Sequence, residues 1–357
     1  DIYVKSVFPD KTQTAAALIL YKIPIDFFAD CAKISKVPVK ARKGFEKMDI
    51  KILLTSMIEL FIIIFVGYFV YKVKIVDDNF VKKFTKLILD VTLPAMILAS
   101  VLRLEERQAF SDVITAILTS AALFFIILPG IGFILAKIIR AKKEQIGLYT
   151  FMNAYSNVGF MGFPVIENLC GSVGLFYAAI FNLIFNLSIY TFGIWMMNKG
   201  RENAAKFDPK LLLSPGVLLS VFSIVIYFLN IKAPVIISDT IYSIGSMTSP
   251  AAMLLIGCSL AKMNLKSVFG EIRMYPWIIM KQLIVPLLLW FPLTFVIKNE
   301  LVLMITYILI AMPVANSAVL FATNYGGDSE LAAKGVFLTT LFSLVTVPVC
   351  ILLVQSL

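Results

Sequence analysis

The feature that most constrains this chain is a series of long apolar runs, each near the roughly 20 residues that a helix needs to cross a bilayer. The runs are continuous rather than alternating, which argues against a membrane β-barrel. The chain is 60% hydrophobic and 15% charged, whereas soluble domains carry about 25% charged residues. We therefore predict an all-α polytopic membrane protein. Ten spans are expected, at about 51–72, 80–102, 111–138, 145–168, 173–197, 211–231, 235–260, 275–297, 301–324 and 333–355.

Basic residues are divided unevenly between the two sets of alternate loops. Seventeen Lys and Arg residues lie in or beside one set, and only Arg103, Arg107, Lys232 and Lys298 lie in the other. Cytoplasmic loops carry the excess of positive charge. We therefore expect the basic side to face the cytoplasm from the plasma (cytoplasmic) membrane, with both ends of the ten-span core outside. The same bias accounts for the net charge of +10 without a nucleic-acid partner.

Two of the apolar runs contain residues that interrupt helices. The run at 149–169 contains Asn157, Gly159, Gly162 and Pro164, and the run at 301–325 contains Pro313, Asn316 and Ser317. Asn157 and Pro313 are 156 positions apart, close to half the chain. An unwound backbone persists at membrane depth only where it is buried in protein or lines a cavity. Paired interruptions in the two halves of a chain indicate the binding site of a secondary transporter.

The two halves of the chain repeat a second feature. Leu93-Pro94 in span 2 corresponds to Ser249-Pro250 in span 7, with the prolines again 156 positions apart. Because each half has an odd number of spans, the second enters the membrane in the opposite orientation, which predicts an inverted repeat. We place the two five-helix repeats at 48–199 and 200–357. Residues 1–47 are interpreted as an N-terminal extension, a fusion or a misjoined reading frame, which the sequence does not distinguish.

The residues at the interruptions match known motifs. Asn157-Val158-Gly159-Phe160-Met161-Gly162-Phe163-Pro164-Val165-Ile166 resembles the fourth-helix motif of the auxin efflux carrier family, which comprises plant PIN-type carriers and bacterial permeases. Met312-Pro313-Val314-Ala315-Asn316 is similar to its ninth helix. The resemblance covers about 48–357. It implies ten helices as two inverted five-helix repeats, as in bile-acid/sodium symporters, with broken helices 4 and 9 crossing. It also implies a scaffold of spans 1, 2, 6 and 7 and a transport part of spans 3–5 and 8–10.

The family carries organic anions, either auxin in plants or carboxylates such as malate or malonate in bacteria. This chain lacks the long central hydrophilic loop of many plant members, which favours the bacterial type. The resemblance therefore implies a secondary transporter with an elevator-type alternating-access mechanism. A membrane channel or sensor is the alternative. An intramembrane enzyme is disfavoured, because the chain has no His and so lacks the commonest catalytic base.

Seven residues at or near the interruptions are predicted to bind substrate: Asn153, Asn157, Gly159, Pro164, Pro313, Asn316 and Ser317. An Asn side chain can donate to a carboxylate without importing a charge, and the N-termini of broken helices attract anions. The alternative is that Pro164 and Pro313 only kink their helices and the Asn side chains cap freed carbonyls. Asn182 and Asn186, one turn apart on span 5, are interpreted as formers of interhelical hydrogen bonds.

Four of the ionisable residues within the predicted spans are candidates for function, since charge at membrane depth is costly: Glu59, Lys86, Asp90 and Lys281. Glu59 is the candidate protonatable carboxylate, with a structural pairing to a neighbouring helix as the alternative. Lys86 and Asp90 are four positions apart and are predicted to pair with each other. The alternatives are that Lys86 extends to the cytoplasmic surface and that Asp90 is a coupling group. Lys281 either attracts the anion or extends to the membrane surface.

No catalytic residue, metal site or cofactor is expected. A proton or a sodium ion is the candidate coupling ion, and uncoupled transport is also open. The expected partners are a small organic anion and the lipid bilayer, with homodimerisation through the scaffold helices as a further option. The chain contains no GxxxxGK[ST] motif, so ATP-driven pumping by this chain alone is disfavoured.

Overall fold

The computed structural model of the chain describes residues 50–104, 108–198, 215–262, 268–325 and 327–356. Within these ranges the chain is helical, and a single isolated bridge between Ser156 and Val314 is the β-type pairing that they contain. The predicted extension at 1–47 and most of the predicted connection between the halves lie outside the described residues. The prediction of an all-α polytopic membrane protein is confirmed, whereas the ten-helix repeat stays a prediction.

The α-helices of the described residues are numbered in chain order. They are α1 (Ile50–Lys72), α2 (Asp78–Leu87), α3 (Leu93–Leu102), α4 (Phe110–Ala122), α5 (Leu128–Ile138), α6 (Lys143–Ala154), α7 (Phe163–Ser188), α8 (Ile194–Asn198), α9 (Pro215–Leu229), α10 (Val235–Ser246), α11 (Thr248–Ala261), α12 (Met274–Ile279), α13 (Val285–Val296), α14 (Glu300–Ala311), α15 (Ser317–Asn324) and α16 (Ser329–Ser356). Five π-helical segments join some of them end to end: Ile88–Thr92, Leu123–Ile127, Val158–Gly162, Ile189–Gly193 and Met280–Ile284.

Six helical stretches of the described chain are long and apolar enough to cross a membrane. They are Asp78–Leu102, Phe110–Ile138, Val158–Met197, Val235–Ala261, Met274–Val296 and Ser329–Val354. The stretch Val158–Met197 contains a sharp break at Gly171, where φ is 62° and ψ is −156°. A positive φ favours glycine, which has no β carbon to clash with the backbone. This break coincides with the predicted boundary between spans 4 and 5.

Proline positions explain four of the five π segments. Pro94, Pro129, Pro164 and Pro286 each occupy the second residue of the α-helix that follows a π segment. Proline has no N–H to donate into the preceding turn, and the helix widens there. Five residues before Pro129, the Phe124 carbonyl accepts instead from the Ser188 hydroxyl at 3.2 Å. The Phe124 carbonyl, which the proline leaves without a helical partner, thus connects the π segment of Leu123–Ile127 to the end of α7.

Two sets of helices pack closely. In one set, α1 packs along α11 and α3 packs against α9 and α10. The α1–α11 contact brings backbones together, since a β carbon at Gly67 would collide with the Leu254 carbonyl and one at Gly257 with the Ile64 carbonyl. These helices belong to the predicted scaffold spans. In the other set, α5 packs on α6, α7 on α4 and α14, and α15 on α16.

Candidate substrate site at the helix crossover

The two predicted interruptions lie against each other. The first separates α6 from the π segment that begins at Val158, and the second separates α14 from α15. The Asn157 N–H donates to the Pro313 carbonyl at 2.7 Å, and the Ala315 N–H donates to the Tyr155 carbonyl at 3.0 Å. Backbone groups released by unwinding therefore satisfy one another, as burial in an apolar medium requires. We call this region, residues 155–157 and 312–316, the crossover.

The oxygen and the nitrogen of the Asn157 side-chain amide differ in their hydrogen bonding. Its Oδ1 accepts from the Phe160 N–H at 3.1 Å and so caps the π segment. The structural alternative expected the side chain to cap a freed carbonyl, whereas it caps a backbone N–H. Its Nδ2 is buried and has no hydrogen-bond partner among the described residues. A buried amide donor without a partner carries a desolvation cost. Asn157 thus combines a satisfied cap with an amide group that has no partner in the described part of the chain.

A second unpartnered amide lies beside the first interruption. A β carbon built on Gly159 would lie 3.7 Å from Asn182 Oδ1 and 3.8 Å from Leu93 Cδ1. Asn182 Nδ2 is buried and, like that of Asn157, has no partner among the described residues. Sequence reasoning assigned Asn182 to helix packing. Its spacing from Asn186 showed a polar helix face, but not that the face meets Gly159.

The second interruption contributes the start of a helix and a hydroxyl. Asn316 is half-buried at the N-cap position of α15 and makes no capping bond through its side chain. The Ser317 hydroxyl is buried, without a partner in the described part of the chain. The N-termini of α15 and of the π segment at Val158 both begin at the crossover. Helix N-termini carry partial positive charge, so these two ends favour an anionic group.

Two other predicted site residues, Pro164 and Asn153, and the interrupting residue Gly162 have identifiable packing functions. Gly162 lies against α14, since a β carbon there would come within 2.7 Å of Leu309 Cδ2. Pro164 is buried and starts α7 after the π segment. Asn153 donates through Nδ2 to the Leu128 carbonyl at 2.8 Å, which joins α6 to α5. One of the two Asn153 amide hydrogens is therefore engaged away from the crossover.

Lys281 reaches the crossover from the π segment of Met280–Ile284. Its side chain is only 1% exposed, so it does not extend to the membrane surface. Its Nζ donates to the Ser156 hydroxyl at 3.0 Å and to the Met312 carbonyl at 2.9 Å. Ser156 belongs to the first interruption and Met312 to the second. The ammonium group therefore joins the two unwound segments.

Helix α16 braces the second interruption through one threonine. The Thr339 hydroxyl accepts from the Val314 N–H at 3.0 Å, and the Thr339 carbonyl accepts from Gln282 Nε2 at 2.9 Å. All three groups are buried. Ser156, Thr339 and the bond between Gln282 and Thr339 were not predicted from the sequence. Small hydroxyl residues in apolar helices show no distinctive spacing that would mark them.

The remaining predicted charges lie apart from the crossover contacts. The Glu59 side chain is exposed on α1, Lys86 is exposed on α2, and Asp90 is half-buried. The ion pairs of the described residues do not include Lys86 with Asp90, so the predicted pairing is wrong. The four-residue rule assumes a continuous α-helix, whereas the π segment of Ile88–Thr92 begins between the two residues.

A cleft separate from the crossover lies between α3, α7 and α10. Its lining includes Arg103, Glu167 and Tyr242. The Arg103 guanidinium carbon lies 3.9 Å from the centre of the Tyr242 ring, and Nη2 lies 3.5 Å from Asp239 Oδ1. Because Arg103 already contacts an acidic and an aromatic side chain, this cleft presents less free positive charge than its arginine suggests.

Comparisons with known proteins agree with a membrane carrier. A family model described as "Membrane transport protein" matches residues 52–351. An uncharacterized transporter of Methanocaldococcus jannaschii is 24% identical over 296 residues, covering 80% of this chain and 94% of that protein. A "Putative malonate transporter" of Rhizobium meliloti is 24% identical over 311 residues, covering 84% and 95%. A "Lysosomal cholesterol signaling protein" of Mus musculus is 23% identical over 321 residues, covering 83% of this chain and 37% of that protein.

Proposed function

Because the chain belongs to the membrane transport protein family, we propose that it is a secondary transporter that carries a small organic anion and binds it at the crossover. Membership confirms the resemblance to auxin efflux carriers seen in the sequence. It establishes an integral membrane transporter. The substrate class, the site and the mechanism are our proposal. The observation that carries them is the meeting of two unwound segments with unpartnered amide donors beside them.

The chemistry of the crossover suits a carboxylate. Asn157 Nδ2 and Asn182 Nδ2 are buried donors without partners among the described residues, and the N-termini of two helical segments begin at the crossover. Amide donors and helix ends provide positive potential without a mobile charge. Such a site compensates the lost hydration of an anion while holding it weakly enough to release it. Malonate is the first substrate to test, since one relative is named for it.

Helix packing supports an elevator-type mechanism. The π segment of Val158–Gly162 contacts α11, and α7 contacts α1, α3 and α9. All four of these contacted helices belong to the predicted scaffold. We propose that spans 3–5 and 8–10 move as one body along spans 1, 2, 6 and 7 and expose the crossover to each side in turn. We further propose that the chain lies in the cytoplasmic membrane with its basic loops facing the cytoplasm and both ends of the ten-span core outside.

A flux assay tests the proposal directly. The purified full chain is reconstituted into liposomes, and uptake of labelled malonate, malate and monocarboxylates is measured. The expected result is saturable uptake of at least one carboxylate, with accelerated exchange when the same carboxylate is present inside. Uptake that rises linearly with concentration and shows no exchange would indicate a channel instead. No uptake of any carboxylate tested would reject the proposed substrate class.

One comparison favours a second candidate function. The mouse relative that aligns over 83% of this chain is named as a signaling protein. A sensor would bind a ligand at the crossover without carrying it across. Carboxylate binding, measured as a rise in the thermal unfolding temperature, together with absent flux in the same preparation would support a sensor over a transporter.

A further inference from the structure

The Lys281 ammonium occupies an unusual position within the crossover. It is buried in the protein interior and donates to one group from each interruption, Ser156 and Met312. None of the ion pairs formed by the described residues includes it. A protonated lysine that is buried without a carboxylate partner is costly, so a charge on Lys281 requires compensation from neighbouring polar groups.

The hydrogen-bond directions at Lys281 are fixed by its partners. A carbonyl can only accept, so Lys281 donates to Met312. The Ser156 hydroxyl donates its own proton to the Ile310 carbonyl at 3.3 Å, so Ser156 accepts from Lys281. Both bonds therefore use N–H donors of the lysine, and two of its three donors are engaged. A protonated Lys281 fits this arrangement with one donor to spare, and a neutral amine would make the same two bonds.

The carbonyl that Lys281 contacts lies at the end of a half-helix. Helix α14 ends at Ala311, and Met312 is its C-cap. The last carbonyls of a helix lack partners within the helix and carry partial negative charge. In secondary transporters with broken helices, unwound carbonyls and half-helix C-termini are the groups that coordinate a coupling cation. Lys281 thus places its amino group against a carbonyl and a hydroxyl, which are oxygen ligands of the type that a sodium ion would use.

We propose that Lys281 is a tethered cation, which occupies the place of a coupling ion in the crossover and makes anion transport independent of sodium. The statement about transport rests on the proposed function. The statement that Lys281 occupies a cation position can be tested without a substrate. The π segment of Met280–Ile284, which precedes Pro286, sets the direction of the lysine. The ammonium also stabilises the contact between the two interruptions, because it bonds to both.

The first test uses the unaltered chain. Uptake of the carboxylate identified in the flux screen is compared in sodium chloride and choline chloride at equal ionic strength, and so is the thermal unfolding temperature of the detergent-solubilised protein. Equal uptake and equal unfolding temperatures are expected in the two salts. An increase of either with sodium would overturn the tethered-cation proposal. If no carboxylate is taken up, the proposed function fails while the unfolding comparison still decides about the cation.

The second test removes the charge. Lys281→Ala leaves the Ser156 and Met312 oxygens without a cation, so we expect a lower unfolding temperature in choline chloride and a partial recovery in sodium or lithium chloride. Lys298→Met removes an exposed lysine beyond the same span and serves as the matched control, with no salt-specific change. Lys281→Arg retains a cation and should show no recovery with sodium. A Lys281→Ala protein that is as stable as the control in choline chloride, or that is destabilised equally in every salt, would contradict the proposal.

Discussion

Replacing Asn157 by serine separates helix capping from anion binding. Serine caps helices about as well as asparagine, so the bond now made to the Phe160 N–H at 3.1 Å has a substitute. The unfolding free energy should change by less than about 0.5 kcal/mol. The unpartnered Nδ2 donor is lost, and a hydrogen bond to a charged group contributes about 1.5–3 kcal/mol. Since about 1.4 kcal/mol corresponds to a factor of ten, the KM for a carboxylate should rise about 10- to 100-fold.

The assay measures saturable malonate uptake in proteoliposomes and thermal unfolding of the same preparations. Asn157→Ala serves as the second variant, since it removes both the donor and the cap and should lose a further ~1 kcal/mol of stability. Asn79→Ser makes the same exchange at an exposed position on α2 and should leave uptake unchanged. Wild-type KM in the Asn157→Ser protein would refute the assignment of the amide to the anion. A large loss of stability in that variant would refute the capping argument.

Three further substitutions probe other parts of the structure. Gly162→Ala would place a β carbon 2.7 Å from Leu309 Cδ2 and should lower the free energy of unfolding by about 1–3 kcal/mol. In the control Gly130→Ala, the β carbon meets no atom within 4 Å, and the unfolding temperature should be unchanged or slightly raised. Equal losses of stability in the two variants would contradict the packing argument. Asn182→Ala removes an unpartnered donor, so we expect weaker carboxylate uptake at unchanged stability, and wild-type uptake would exclude Asn182 from the site. Glu59→Gln should flatten the pH dependence of uptake if Glu59 is the proton site, and an unaltered profile would remove Glu59 from that role.

The interruptions could be located from the sequence because their causes are local. Proline, glycine and asparagine within an apolar run disturb a helix wherever it packs, and the equal spacing in the two halves indicated that the interruptions correspond. The structure adds that they pair through their backbones, with the Asn157 N–H bonded to the Pro313 carbonyl. The break at Gly171 falls at a predicted boundary for the same local reason.

The contacts of the site could not be predicted, because they depend on which helix faces meet. The spacing of Asn182 and Asn186 defines a polar helix face but does not indicate which helix packs against it. Thr339 resembles any other hydroxyl residue in an apolar helix. The failed pairing of Lys86 with Asp90 has a different origin. The π segment that starts at Ile88 changes the angular position of the residues after it, so a rule for regular α-helices no longer applies.

The backbone pairing at the crossover has a consequence for how such carriers diversify. Main-chain amides and carbonyls hold the two unwound strands together, and every amino acid except proline can supply both groups. Side chains at the crossover can therefore be exchanged, except for proline at the donating positions, without breaking these backbone hydrogen bonds.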